Sequence, residues 1–192
     1  RVSTSRREPD QVEILSGVFE GRTTGTPISL MIRNRDVDSS PYDPLKHVFR
    51  PGHAGYTYWH KYGIRDWRGS GRASGRETVA RVAAGAVAKK VLDQHGITVV
   101  AYTLALGGIR AERLEIGEIE RNSLFCPDPD AAAKMIKRLE QVKAAGDSAG
   151  GVVEIRVQGC PAGLGEPVFA KLSGLLGFAL MGIGAVKGVE IG

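Results

Sequence analysis

The sequence predicts an α+β fold, and two observations carry that prediction. Alternating runs typical of strands and periodic runs typical of helices are both abundant along the 192 residues. They do not follow one another in the regular strand–helix–strand rhythm of a parallel sheet. The length fits one domain with a sizeable core, and a hydrophobic content of 42% with a charged content of 24% is ordinary for a globular protein.

The first predicted element is an antiparallel pair of strands. Residues 12–20 and 27–34 are rich in β-branched and aliphatic side chains, and a turn-like stretch, EGRTTGT, separates them. In the second run Ile28, Leu30 and Ile32 occupy alternate positions. This alternation indicates a strand with one buried face.

A long structured loop is predicted next, over residues 36–62. It contains three prolines and many turn formers, and five aromatic residues lie between Phe49 and Tyr62. Loops of this length inside compact domains are usually functional or disordered. The aromatic content favours a functional loop.

The stretch GSGRASGRETVARVAAGA then predicts a helix that begins at Ser74. Glu77 follows Ser74 by three residues, as in a capping box, and the helical spacing continues to about Gln94 before Gly96. The small side chains predict a buried, central helix. Arg81 is expected to pair with Glu77, which lies four residues before it.

The rest of the chain adds both kinds of element. Asp128 before Pro129 is a good helix start, and Gly146 is a good helix end. The predicted strands are 97–106, 151–158 and 186–191, and the predicted helices are 131–145 and 168–181.

The charge distribution indicates an anionic partner. The net charge is +5, but residues 46–90 hold ten Lys or Arg and two acids, a local net charge of +8. The partner class is a nucleic acid or a small molecule with phosphate or carboxylate groups. Free N–H groups at the helix start after Ser74 are suited to a compact anion. Arg72 and Arg76 flank that start and can bind a phosphate or carboxylate, and we expect both side chains to face one cleft.

Cysteine usage and hydropathy argue against disulfide-rich, metal-binding and membrane proteins. Cys126 and Cys160 provide neither a disulfide framework nor the spacing of metal ligands, so we expect two half-buried thiols, no metal site and a reducing, cytoplasmic setting. No apolar run approaches the roughly 18 residues of a membrane span, so no membrane partner is expected.

A resemblance to the chorismate synthases begins with FRPGHAGYTYWHKYGIRDWRGSGRASGRETVARVAAGAVAKK, which looks like the family's central signature region. The same family is matched in order by RREPDQVEILSGVFEGRTTGTPI, FCPDPD, GDSAGG, CPAGLGEPVF and AVKGVEIG, so the resemblance covers all 192 residues. It implies a sandwich of antiparallel sheets with helices between them. Residues 1–192 would be part of a single domain, its first half and the start of its second half, in a homotetramer.

The resemblance also implies an activity. Chorismate synthases are carbon–oxygen lyases that convert 5-enolpyruvylshikimate 3-phosphate to chorismate and phosphate by an anti-1,4-elimination. The reaction belongs to the shikimate pathway of aromatic amino acid biosynthesis and requires reduced FMN without net redox change. The sequence leaves open whether NADPH reduces the flavin here. The phosphates and carboxylates of substrate and FMN would be the anions for the basic segment.

Site residues follow from the resemblance position by position. His53 matches the histidine of the RPGH motif, which protonates reduced flavin or helps to hold its charge state. Histidine is chemically apt for this role, since it exchanges protons near neutral pH. The substrate-binding positions are Arg50, Arg76 and Arg1. The flavin-binding positions are Arg72, Ala73, Ser74, Gly184 and Ala185.

The chain departs from the family pattern at a few positions. Gly55 stands where Asp is usual, and Gly184 where Asn is common. Ala73 replaces a common Ser, so it keeps a backbone N–H but loses a hydroxyl donor. The family's GESHG segment and C-terminal half fall outside residues 1–192. We therefore expect these residues alone to be inactive.

Two alternatives remain beside the enzyme, and a protease is a third class that the sequence disfavours. GDSAGG is similar to the nucleophile segment of chymotrypsin-like proteases, but no His-Cys motif precedes it and no triad partners are indicated. A basic nucleic-acid-binding module would fit the pI of about 9.4. A fragment that has the fold without the activity is the other alternative.

Overall fold

The structure, a computed structural model, describes residues 8–192, which divide into two compact units. Among the described residues, one unit contains Lys89–Cys160 and is called the 89–160 unit. The other unit combines residues 8–88 with Pro161–Gly192. We call it the site unit, because it holds the predicted site residues that the structure describes. The predicted substrate residue Arg1 lies outside the described residues. The α+β prediction is confirmed, since helices and small antiparallel sheets occur together.

Two small antiparallel sheets form the first part of the site unit. Strand β1 (Val12–Ser16) pairs with β4 (Ser29–Ile32), and β2 (Val18–Phe19) pairs with β3 (Arg22–Thr23) between them. The predicted strand pair is therefore confirmed, but the predicted buried face is not, since Leu30 and Ile32 are half-buried and Ile14 is 56% exposed. Gly17 connects β1 to β2 with a φ of 82°, and a Cβ there would lie 2.7 Å from the Pro27 carbonyl oxygen. Only glycine fits this position.

The prediction of a continuous loop over residues 36–62 is wrong. A 3₁₀ helix forms at Ser40–Leu45 and an α-helix, α1, at Gly55–Tyr62. Helix α1 is rich in aromatic residues, whose helix propensity is modest. Ring contacts four residues apart, such as the 4.4 Å between the centroids of Tyr56 and His60, support the helix in place of propensity.

Helix α2 (Thr78–Gln94) follows 3₁₀ turns at Gly71–Ala73 and Gly75–Glu77. Its predicted end at about Gln94 is confirmed, and the chain leaves it through Gly96 with a φ of 68°. The prediction of a buried helix is wrong for the described residues. Ala83 is the buried residue of α2, whereas Val82 is 70% exposed.

The 89–160 unit contains one three-stranded sheet and one long helix. Strand β5 (Thr98–Leu106) lies between β6 (Ile109–Arg110) and β7 (Gly151–Gln158), and all pairs are antiparallel. Helix α3 (Pro129–Ala144) contacts β6. The predicted strands and helix of this unit are confirmed. Its core cluster consists of Ala111, Cys126, Ala131, Ala132 and Met135.

The end of the chain differs from the prediction. Helix α4 (Leu172–Met181) begins four residues later than expected, after a pair of backbone hydrogen bonds between Glu166 and Ala170. The predicted strand at 186–191 is wrong. A strand needs a neighbour for its backbone groups, and none of the described residues pairs with this stretch.

The two cysteines differ from each other. Cys126 is fully buried and Cys160 is exposed, so the prediction of two half-buried thiols is wrong. Cys126 is buried because it belongs to the core cluster beside α3. Within residues 8–192 no helix is long and apolar enough to cross a membrane. In the same range no three His, Cys, Asp or Glu side chains are grouped to hold a metal ion.

Candidate functional site

Arg50 is fixed from two sides in the segment before α1. Its Nη2 donates to Ser70 Oγ at 2.7 Å, and its guanidinium lies 5.2 Å from the ring centroid of Tyr42. The side chain is half-buried. A guanidinium held by a hydroxyl and an aromatic face keeps donors for a further ligand.

The turn that supplies Ser70 has an unusual backbone. Gly69, Ser70 and Gly71 have φ values of 96°, 78° and 50°. The glycines adopt these values readily, but a residue with a Cβ loses about 1–2 kcal/mol in the left-handed region. Strain of this kind persists where surrounding contacts fix it, and it clusters at binding and catalytic sites. The bond from Arg50 is such a contact.

His53 is exposed on the same loop as Arg50. Its backbone N–H donates to the Arg50 carbonyl at 3.3 Å, and its Nδ1 lies 3.1 Å from the carbonyl oxygen of Pro51. When Nδ1 carries the proton, it donates to Pro51 and leaves Nε2 as a proton acceptor. The geometry thus provides one ring nitrogen for orientation and one for proton exchange.

Ser74 caps a helical turn as predicted, but that turn is the 3₁₀ turn Gly75–Glu77, and the α-helix itself begins later, at Thr78. The hydrogen bonds at Ser74 also differ from those of a capping box. Ser74 Oγ accepts from the Arg76 N–H at 3.3 Å. The Ser74 N–H does not donate to the Glu77 carboxylate, because it donates to the Gly71 carbonyl. A Cβ built on Gly75 would meet no atom within 4 Å, so a ligand has room to approach the backbone there.

The backbone N–H of Ala73 is already used. It donates to the Ser70 carbonyl at 2.9 Å in the 3₁₀ turn. The expectation that Ala73 still offers this donor is therefore wrong for this conformation. What Ala73 retains is a half-buried methyl group beside Arg72 and Ser74.

Arg72 and Arg76 each bind a carboxylate. Arg72 Nη1 lies 2.9 Å from Glu77 Oε2, and the Arg72 side chain is 82% exposed. Arg76 Nη2 lies 2.6 Å from Asp10 Oδ1 and 3.9 Å from Glu8 Oε2. Both guanidiniums are thus placed to bind oxyanions. That they face one cleft remains a prediction.

The expected pairing of Arg81 with Glu77 is wrong. Glu77 binds Arg72 instead, and Arg81 Nη2 donates to the Gly182 carbonyl at 2.9 Å. This bond connects α2 to the turn after α4, which contains Gly184 and Ala185. Ala185 has a φ of 69° and is exposed. Arg81 therefore links the two stretches that hold the predicted flavin-binding residues.

Sequence reasoning missed several residues that organise this site. The missed carboxylate partner is Asp10, whereas Glu77 was singled out but paired with the wrong arginine. The missed residues that hold the loop are Tyr42, Arg65 and Ser70. The concentration of arginines was visible in the sequence, but their partners were not. Asp10 is 66 positions from Arg76, so no local spacing could have found that pair.

The same residues were compared with known proteins. A sequence profile of the chorismate synthase family matches residues 1–192. The chain belongs to the chorismate synthase family. The chorismate synthase of Syntrophobacter fumaroxidans is 62% identical over the whole chain, which covers 55% of that relative. The chorismate synthase of Chloroflexus aggregans is 57% identical over the whole chain, which covers 53% of it.

The fold agrees with a solved member of the family. A crystal structure of chorismate synthase superposes with a TM-score of 0.77 at 34% identity, covering 94% of this chain and 54% of that one. The predicted α+β fold of the chorismate synthase type is thereby confirmed. The chain spans about half the length of the curated relatives that it matches.

Proposed function

We propose that a protein carrying this chain is a chorismate synthase, which eliminates phosphate from 5-enolpyruvylshikimate 3-phosphate to give chorismate. The observation that supports the proposal is the family match over all 192 residues. The match includes the Arg50–His53 loop and the helix start at Ser74. The +8 charge of residues 46–90 suits a substrate with one phosphate and two carboxylates.

Arg50 and Arg76 are the proposed substrate arginines, together with Arg1. A guanidinium offers two parallel N–H donors to a phosphate or carboxylate. The half-buried Arg50 is already oriented by Ser70 and Tyr42. Arg76 exchanges its bond with Asp10 for one with the substrate. Because Arg50 is preset, it loses less conformational freedom when the anion binds.

Arg72, Ala73, Ser74, Gly184 and Ala185 are the proposed flavin-binding residues. The chemistry of this set fits FMN, since the exposed Arg72 can bind its phosphate and the open backbone at Gly75 permits close approach. When bound, reduced FMN supplies electron density for the elimination without net redox change. NADPH is the proposed source of the reducing equivalents.

His53 is the proposed proton-handling residue. With Nδ1 held by the Pro51 carbonyl, its Nε2 can take or give a proton. The loop position leaves this nitrogen on an exposed side chain. The enzyme would act in the shikimate pathway of aromatic amino acid biosynthesis, in the cytoplasm, as a homotetramer. Residues 1–192 would be part of one domain of it.

The test is an anaerobic assay of a protein that contains this chain at the full length of its relatives. Photoreduced FMN and 5-enolpyruvylshikimate 3-phosphate are supplied, and chorismate is followed by absorbance. We expect chorismate from the longer protein and none from residues 1–192 alone, because a tight cofactor pocket needs convergent groups on several sides. A longer protein that binds both ligands but makes no chorismate would refute the proposal.

A further inference from the structure

Arg65 makes an unusual set of contacts just after α1. Its Nη2 lies within hydrogen-bond distance of three backbone carbonyl oxygens, at 3.0 Å from Leu45, 2.7 Å from Lys46 and 3.0 Å from Val48. Its guanidinium also lies 4.9 Å from the ring centroid of Phe49. One side chain thus holds the whole segment that leads into Arg50.

The three carbonyls lie at and after the end of the 3₁₀ helix Ser40–Leu45, where helix carbonyls lose their internal partners. The Leu45 carbonyl also accepts the Val48 N–H at 3.2 Å, so Arg65 adds a second donor there. A planar guanidinium can donate in its plane while its face stacks on an aromatic ring. A lysine at position 65 could donate but could not stack in the same way.

The segment held by Arg65 is continuous with the proposed catalytic loop. Val48 lies two positions before Arg50, and the Arg50 carbonyl accepts the backbone N–H of His53. The guanidinium at the end of the Arg50 side chain donates to Ser70. Arg65 and Ser70 therefore fix the loop at two points, one on the backbone and one on the side chain.

We infer that Arg65 is a positioning residue, which sets the placement of Arg50 and His53 without touching the substrate. The inference rests on the proposed function for its effect on turnover. Misplacement of reacting groups by about 1 Å can cost about 10²-fold in rate. Loss of a residue that fixes the loop backbone can therefore lower the rate by this amount.

The experiment compares Arg65→Ala and Arg65→Lys with a matched control, Arg68→Ala, in the protein of full family length. Arg68 is 64% exposed and, among the described residues, makes a long ion pair with Asp66 at 3.8 Å and lies 5.7 Å from the Trp67 ring centroid. We expect Arg65→Ala to lower kcat/KM about 10²-fold and Arg65→Lys about tenfold. Arg68→Ala should stay within about twofold of the wild type.

A combined variant separates positioning from general damage to the structure. If Arg65 acts through Arg50 and His53, then Arg65→Ala in a background that already carries Arg50→Ala and His53→Ala should cost about threefold or less, because coupled residues are not additive. A second full loss of about 10²-fold in that background would overturn the inference.

Hydrogen exchange gives a readout that does not need turnover. Amides of residues 45–54 should exchange faster in Arg65→Ala, while those of α3 stay unchanged. Unchanged exchange in the loop would overturn the inference even if activity falls. A wild-type protein without turnover would refute the proposed function, and the loop exchange would still decide whether Arg65 fixes the loop. If Arg65→Ala does not fold, the same measurements on Arg65→Lys decide.

Discussion

The 89–160 unit and residues 42–77 of the site unit are stabilised in different ways. In the 89–160 unit, Cys126, Ala132 and Met135 are at most 2% exposed and pack in the core cluster beside α3. In residues 42–77, neither α1 nor the 3₁₀ turns bury a single residue. Arginine side chains hold that segment instead, through carbonyls, a hydroxyl and carboxylates. The buried side chains of the 89–160 unit form a scaffold. The polar contacts of residues 42–77 leave the charged arginine groups accessible to a ligand.

Asp128 shows that polar contacts also occur inside the scaffold. There they are buried and inaccessible to a ligand. It is 4% exposed and caps α3 by accepting from the N–H groups of Asp130 and Ala131. It also accepts from the backbone and side chain of Arg113. Burial alone would raise the pKa of Asp128, but these donors outweigh it and hold the pKa well below its ordinary value. An anion so fully bonded has no capacity left for a ligand.

The largest expected effect lies in the polar region. His53→Ala should lower turnover about 10²-fold or more while FMN still binds, because a proton-transfer group is lost from an exposed loop. The free energy of unfolding should hardly change. Steady-state kinetics with saturating substrate and reduced FMN measure turnover, and urea unfolding measures the free energy of unfolding. The matched control is His95→Ala, an exposed histidine just after α2. Wild-type turnover in His53→Ala would remove the proposed role.

The scaffold should show the opposite pattern. Met135→Ala removes a fully buried side chain and should destabilise the 89–160 unit by about 2.5 kcal/mol, or about 70-fold in its opening equilibrium. Amide exchange in α3 measures this change. Met181→Ala, at a half-exposed position of α4, should leave α3 exchange unchanged. Equal effects of the two variants would contradict the contrast between the regions.

Asp128→Ala should cost about 1.5 kcal/mol, through loss of the helix cap and of a buried partner for Arg113. Folding lowers the pKa of this carboxyl, so its stabilisation is present above about pH 4 and is lost as the pH falls towards the lowered folded value. The difference in α3 exchange between wild type and variant should therefore shrink below about pH 4. Asp93→Ala, an exposed position in α2, is the control. A difference that grows on acidification would show that the sign is wrong.

Arg72→Ala should have the smallest effect. The Arg72 side chain, which pairs with Glu77, is 82% exposed, and such exposed ion pairs contribute little to stability. The free energy of unfolding should change by less than about 0.5 kcal/mol, measured by the fluorescence of Trp59 and Trp67. FMN affinity should fall about fivefold through loss of a charge-assisted bond to phosphate. Undiminished affinity would remove Arg72 from the flavin site.

Local signals made much of this fold predictable. Ser74 and Asp128 are side chains that satisfy free N–H groups within three residues, so the starts of the helices after them were visible in the sequence. Strand β5 and strand β7 were equally visible from their alternation and β-branched content. These signals depend only on neighbours along the chain. The family resemblance added positions for the site, but no contacts between them.

Tertiary structure alone decided what the arginines bind. The sequence predicted an anion site from Arg72 and Arg76, yet Arg76 meets Asp10 across 66 residues and Arg81 meets Gly182 across 101. It also decided that α1 is helical and that residues 186–191 form no strand. The physical reason is reach. A cap is chosen among a few adjacent groups, whereas a long guanidinium takes its partner from whatever oxygen the folded chain brings near.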